Sequence, residues 1–132
     1  MSQKIIYISV IVKDYDEAIE YYTKKLNFNL IENTKLSNTK RWVIISPPGN
    51  PETSILLSRA SNLKQKKFIG NQTGGRVFIF LHTDNFRKDY DRLKKNGVKF
   101  IEKPREEEYG TVAVFEDIYG NKWDLLQLKS DY

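Results

Sequence analysis

The sequence predicts an α+β fold built from two βαβββ modules, and three observations lead there. The same five-element order occurs twice along 132 residues, offset by about seventy residues, as in an internal structural repeat. In each copy an apolar strand-like run is followed at once by a segment whose apolar residues recur at helical spacing. Each copy then closes on a hairpin, "RWVIIS-PPGNPET-SILLS" in the first and "TVAVF-EDIYGN-KWDLLQ" in the second.

The elements follow in order. "KIIYISVIV" reads as the first strand, and "DYDEAIEYYTKKL" as a helix. Asp14 is its N-cap with Glu17 three residues on, a carboxylate form of the capping box. Tyr15, Ala18, Ile19, Tyr22 and Leu26 fall on one helical face. "FNLIENT", "RWVIIS" and "SILLS" complete module one, about 1–60. The linker, about 61–75, is "ASNLKQKKFIGNQTGG" with its first residue; it is polar, ends in glycine and is long enough to move as a lid. In module two, about 76–132, "RVFIFLH" is a strand. "NFRKDYDRLKKNG" is a helix with Phe86, Tyr90 and Leu93 on one face, stopped at Asn96-Gly97. "VKFIEK", "TVAVF" and "KWDLLQ" are its remaining strands. A ferredoxin-like βαββαβ sheet uses fewer strands than these hairpins supply.

Composition narrows the chemistry. A chain of this length fits a single domain, 1–132, that buries roughly two-thirds of its unfolded surface. Having no cysteine, it offers no disulfide, thiolate metal site or thiol nucleophile. With one histidine, His82, it cannot build a site from several imidazoles within one chain. No apolar run approaches the roughly 20 residues that span a bilayer, and no small-residue cleavage site follows "IIYISVIV"; a cytoplasmic, membrane-free protein is expected. The net charge of +5 invites a nucleic-acid reading. Acidic residues are interspersed among the lysines, however, and aromatic residues do not alternate with basic ones on any strand, so no nucleic-acid partner is expected.

One residue breaks its local pattern: Asp124, a carboxylate inside the apolar strand "KWDLLQ". If buried away from a metal, its pKa rises. Period-two alternation places Phe78, Phe80 and His82 on one strand face and Val77, Ile79 and Leu81 on the other. His82 reads either as a hydrogen-bonded strand-end histidine or as an acid/base candidate. Glu106, Glu107 and Glu108 read as solvated loop.

"VKDYDEAIEYYTKKLNF" resembles the first strand-helix signature of the vicinal oxygen chelate superfamily, which includes glyoxalase I, bleomycin-resistance proteins, fosfomycin-resistance enzymes and extradiol dioxygenases. "FEDIYGNKWDLLQ" is similar to its C-terminal element, with Ile118 where proline is usual. "RWVIISPPGNPETSILL" and "GGRVFIFLHTDNFRKDYDRLKKNGVKF" resemble its single-domain glyoxalase/bleomycin-resistance-like branch. The resemblance implies a curved, cavity-containing mixed sheet and a homodimer. It also implies four metal-ligand positions, which fall at Tyr7, at Leu57 or Ser58, at Phe78 and at Asp124. Only Asp124 keeps ligand chemistry, so no metal or other cofactor is expected. On the same implied geometry Tyr7, Ser9, Phe78, Phe80 and Asp124 wall the cavity. Arg41 and Trp42 begin a strand that supplies another wall, and Tyr109 is a further aromatic candidate. Arg41 reads either as a bidentate anion grip or as an exposed charge, and the aromatics as ligand contacts or core.

Three functions are compatible with these residues. One is a metal-independent protein that binds and sequesters a small molecule, neutral or anionic and aromatic, because a basic chain suits a cationic drug such as bleomycin poorly. Another is a lyase or other enzyme of the superfamily, either metal-dependent or with Asp124 and His82 as acid and base. The third is a structural or regulatory dimer with a vestigial cavity.

Overall fold

A computed structural model describes residues 1–49 and 51–130 of the chain. Asn50 in the first hairpin loop and positions 131–132 at the end of module two lie outside the described residues. The chain packs as two compact units, Met1–Ile69 and a second beginning at Gly70.

In the first unit β1 (Tyr7–Val12) leads to α1 (Tyr15–Glu20), followed by β2 (Asn29–Lys35), β3 (Arg41–Ser46), β4 (Ser54–Arg59) and a short α2 (Leu63–Lys66). Asp14 caps α1 as the pattern predicts, its carboxylate accepting from the Glu17 N–H at 2.8 Å. The helix continues as a π-helical turn over Tyr21–Lys25, where both adjacent tyrosines are buried and meet edge-on with ring centroids 5.4 Å apart. Asn27 then takes a left-handed conformation, which asparagine tolerates better than most residues. The sheet runs β1-β4-β3-β2 with β1 and β4 parallel and the other pairs antiparallel. Val10, Val12, Val43, Ile45, Ile55 and Leu57 are buried at alternating positions, and α1 packs on β3 and β4.

The second unit repeats the plan with one strand more. β5 (Val77–His82), α3 (Phe86–Lys95), β6 (Lys99–Phe100), β7 (Arg105–Glu107), β8 (Gly110–Glu116) and β9 (Lys122–Leu128) follow in order. The sheet runs β5-β9-β8-β6, with β5 parallel to β9 and β7 also paired to β8. Aromatic rings form its core in an unbroken chain: Phe86 on Tyr90, Tyr90 on Phe100, Phe100 on Phe115 and Phe115 on Trp123, at centroid distances of 5.7, 4.5, 5.6 and 5.7 Å. Such pairs add about 0.5–1.5 kcal/mol each beyond their buried area. Gly97 at φ +90° ends α3 as expected.

Three local expectations change. The strand read at "VKFIEK" shrinks to Lys99–Phe100. Part of the presumed glutamate loop becomes β7, because Arg105 and Glu106 pair with Val112 and Thr111 while Arg105 bridges the side chains of Glu102 and Glu107. The linker is divided: residues up to Ile69 belong with the first unit, where α2 is capped by Asn62.

Candidate functional site

In the first unit Tyr7, Ser9, Trp42 and Ser58 lie on the sheet face opposite α1. Tyr7 meets Trp42 edge-on at 6.1 Å, and the Ser9 and Ser58 hydroxyls are 2.8 Å apart. Beside them, where the start of β3 meets the end of β4, is a cavity of about 970 Å³. Trp42 and Tyr15 supply its aromatic wall, and Ser61, Gln65 and Ile69 close it from the α2 segment. Lys13, Lys40, Arg41, Arg59 and Lys66 also line it, and among the described residues no carboxylate does.

Arg41 is already engaged. Its two terminal nitrogens donate to the two oxygens of Asp16 at 2.7 and 3.0 Å, and its guanidinium lies 5.2 Å from the Tyr15 ring centroid. The hydrogen bond from Arg41 holds the Asp16 carboxyl below the ordinary carboxylate range, and the bond to Asp16 pushes Arg41 up. Arg41 is therefore half-buried and internally paired rather than a free surface charge.

The second unit carries the other candidates. On β9 Asp124 is flanked by Phe80 on β5 and Val114 on β8. It is 6% exposed, and its Oδ1 has no hydrogen-bond partner. Burial pushes its carboxyl upward; Arg105 opposes that shift and Glu102 adds to it. His82 sits two residues beyond Phe80 on the same strand, opposite Leu126, and both Phe80 and His82 are exposed. Phe78 departs from the expected alternation: the register shifts between Val77 and Ile79, which leaves it at an irregularity in the ladder. Tyr109 is half-buried in the turn between β7 and β8.

The donor set does not fit a divalent metal. Leu57 is buried in the core, the Ser58 hydroxyl is engaged by Ser9, and Phe78 has no donor atom. The phenol of Tyr7 is a poor ligand for the usual divalent ions. Among the described residues no three His, Cys, Asp or Glu side chains gather to hold an ion.

Of the residues that the sequence singled out, Arg41 and Trp42 line this cavity; Lys13, Tyr15, Lys40, Arg59 and Lys66, which also line it, and Asp16, which engages Arg41, were not among its site candidates. The basic residues were visible as interspersed charge. Only strand pairing brings them to one cavity.

Comparison with known proteins adds four likenesses. Residues 4–125 match the model of the Glyoxalase/Bleomycin resistance protein/Dioxygenase superfamily. The chain is 58% identical over 129 residues to an uncharacterized protein of Shewanella frigidimarina, covering 97% of this chain and 96% of that one. Among solved structures, UcmS2 superposes with a TM-score of 0.83 at 28% identity, over 96% of this chain and 98% of its own. TnmS3, an antibiotic binding protein from Streptomyces sp. CB03234, gives 0.77 at 25% identity over 97% and 98%.

Proposed function

The chain belongs to the glyoxalase/bleomycin resistance protein/dioxygenase superfamily, and from that premise we propose that it is a metal-independent small-molecule-binding protein that sequesters a neutral or anionic aromatic compound. The cavity of the first unit carries this reading: it has the size of a small-molecule site, an aromatic wall and, among the described residues, a lining without carboxylates. The likeness to an antibiotic binding protein supports binding over turnover. The chain's positive charge favours capture of neutral or negative compounds. Metal independence is supported by the donor set, in which Asp124 alone keeps ligand chemistry. We also infer a homodimer, to which the exposed apolar side chains Ile6, Tyr7 and Ile8 on or beside β1 lend support; light scattering at the column outlet measures it.

The test is a thermal-shift screen of neutral, anionic and cationic aromatic compounds, with and without EDTA, alongside metal analysis of the untagged protein by plasma mass spectrometry. Neutral or anionic compounds should raise the melting temperature equally in both conditions. Near-stoichiometric metal retention, with binding abolished by EDTA, would sink the reading.

One observation favours a second reading, the orphaned Asp124 Oδ1 beside an exposed Phe80 and on the strand neighbouring His82. A carboxyl raised by burial suits general acid/base chemistry. Turnover of any bound compound that is lost in both Asp124→Asn and His82→Ala supports it; binding without turnover in the parent protein removes it.

A further inference from the structure

Four of the five cations that line the cavity of the first unit, Lys13, Lys40, Arg59 and Lys66, make no ion pair among the described residues. Elsewhere cations do meet carboxylates: Arg87 meets Asp91, Arg92 meets Asp89, Lys99 meets Glu116, and Arg105 meets Glu102 and Glu107. Among the described residues the only carboxylate paired with a cavity cation is that of Asp16, which engages Arg41 from outside the lining. Because two Arg41 nitrogens are taken by Asp16, that residue is not the free anion grip. The parallel pairing of β1 with β4 sets Val12 against Arg59, so Lys13, the next residue, comes to the same end of the sheet. A ring of like charge around a concave, partly apolar site focuses a positive potential into it.

We infer that this cavity takes a planar aromatic compound bearing an acid group, with Lys13 and Arg59 holding the acid and Trp42 packing against the ring. The inference rests on the binding reading above and narrows its ligand to the anionic class. A sulfonate, carboxylate or phosphate supplies the same negative oxygens.

Two fluorescent probes separate the class from the general reading. Anilinonaphthalene sulfonate and phenylnaphthylamine share their rings and differ in the sulfonate. The sulfonate should bind the folded protein with a Kd at least about tenfold lower. The double variant Lys13→Glu, Arg59→Glu should remove at least that factor for the sulfonate and leave phenylnaphthylamine within about twofold, while Arg59→Lys keeps most of the sulfonate affinity. Displacement of the bound sulfonate by naphthoate or by naphthyl phosphate identifies which acid group is preferred. Circular dichroism checks that each variant is folded. Equal binding of the two probes, or charge reversal without effect on the sulfonate, overturns the anionic class and leaves aromatic binding standing. Binding of neither probe overturns both.

Discussion

Asp124 is maintained at a cost to the fold. Its Oδ1 is buried without a partner, and an unsatisfied buried polar group costs about 1–3 kcal/mol, more when charged. Asp124→Leu should therefore raise stability at neutral pH by about that amount, read from the urea midpoint; a fall of similar size would show that the carboxylate is satisfied. The pH dependence has a definite sign. Burial raises the folded-state pKa above the ordinary value of 3.8, so the acid's stabilising contribution is complete below that value and is lost as pH rises through the folded pKa. The stability gap in favour of Asp124→Leu should open upward from pH 3.8 and then level off; a gap that closes over the same range would reverse the assignment. At Arg41 the structure predicts a gain of function. Asp16→Asn releases the guanidinium for the ligand's acid group, so affinity for anilinonaphthalene sulfonate should rise about threefold. Unchanged affinity would mean that Arg41 does not face the ligand. Of these two carboxylates, Asp124 was conspicuous as a charge in an apolar strand. Asp16 was not, because its partner lies 25 residues away.

At the scale of the element, the turn between β8 and β9 is organised by one side chain. Asp117 is buried, and its carboxylate accepts from the N–H groups of Tyr119 and Asn121 at 3.0 Å each, from the Asn121 amide at 3.0 Å and from the Trp123 indole at 3.1 Å. The sequence "EDIYGN" signalled a hairpin by its glycine and asparagine. Which of its two carboxylates turns inward was settled by the indole of Trp123, whose buried N–H needs an acceptor. Asp117→Ala leaves that donor and the Asn121 amide without this acceptor and should cost about 3–5 kcal/mol, measured by chemical denaturation; a loss below about 1 kcal/mol would show that the other turn bonds suffice. The two long helical patterns were legible because caps and apolar spacing are local: Asp14 and Asn96-Gly97 stand where the pattern put them, and so do the buried faces, except that Ile19 is half-buried and Tyr21 joins the first face through the π-helical turn. β7 was not legible. "REEEY" has no strand periodicity of its own, and its pairing comes from the facing edge of β8.

Across the whole molecule the excess of five positive charges is spread along the chain, but the first unit gathers at one cavity four cations that make no ion pair among the described residues. Capture of an anionic aromatic compound should therefore weaken with ionic strength, because the screening length falls from about 10 Å at 0.1 M salt to about 3 Å at 1 M. Titrating anilinonaphthalene sulfonate at the two salt levels checks this, with phenylnaphthylamine expected to be insensitive; equal salt response of both probes would count against electrostatic capture. The sequence by itself determined the repeated βαβββ order, the helix caps, the core faces and the family, since each rests on local spacing or on motifs read in one stretch. Only the tertiary structure decided which side chains share a site. Parallel pairing of β1 with β4 and antiparallel pairing of β3 with β4 bring Lys13, Arg41 and Arg59 to one cavity, while α1 supplies Asp16 to occupy Arg41. A charge's partner depends on distance in space, and the one-dimensional pattern carries no record of that distance.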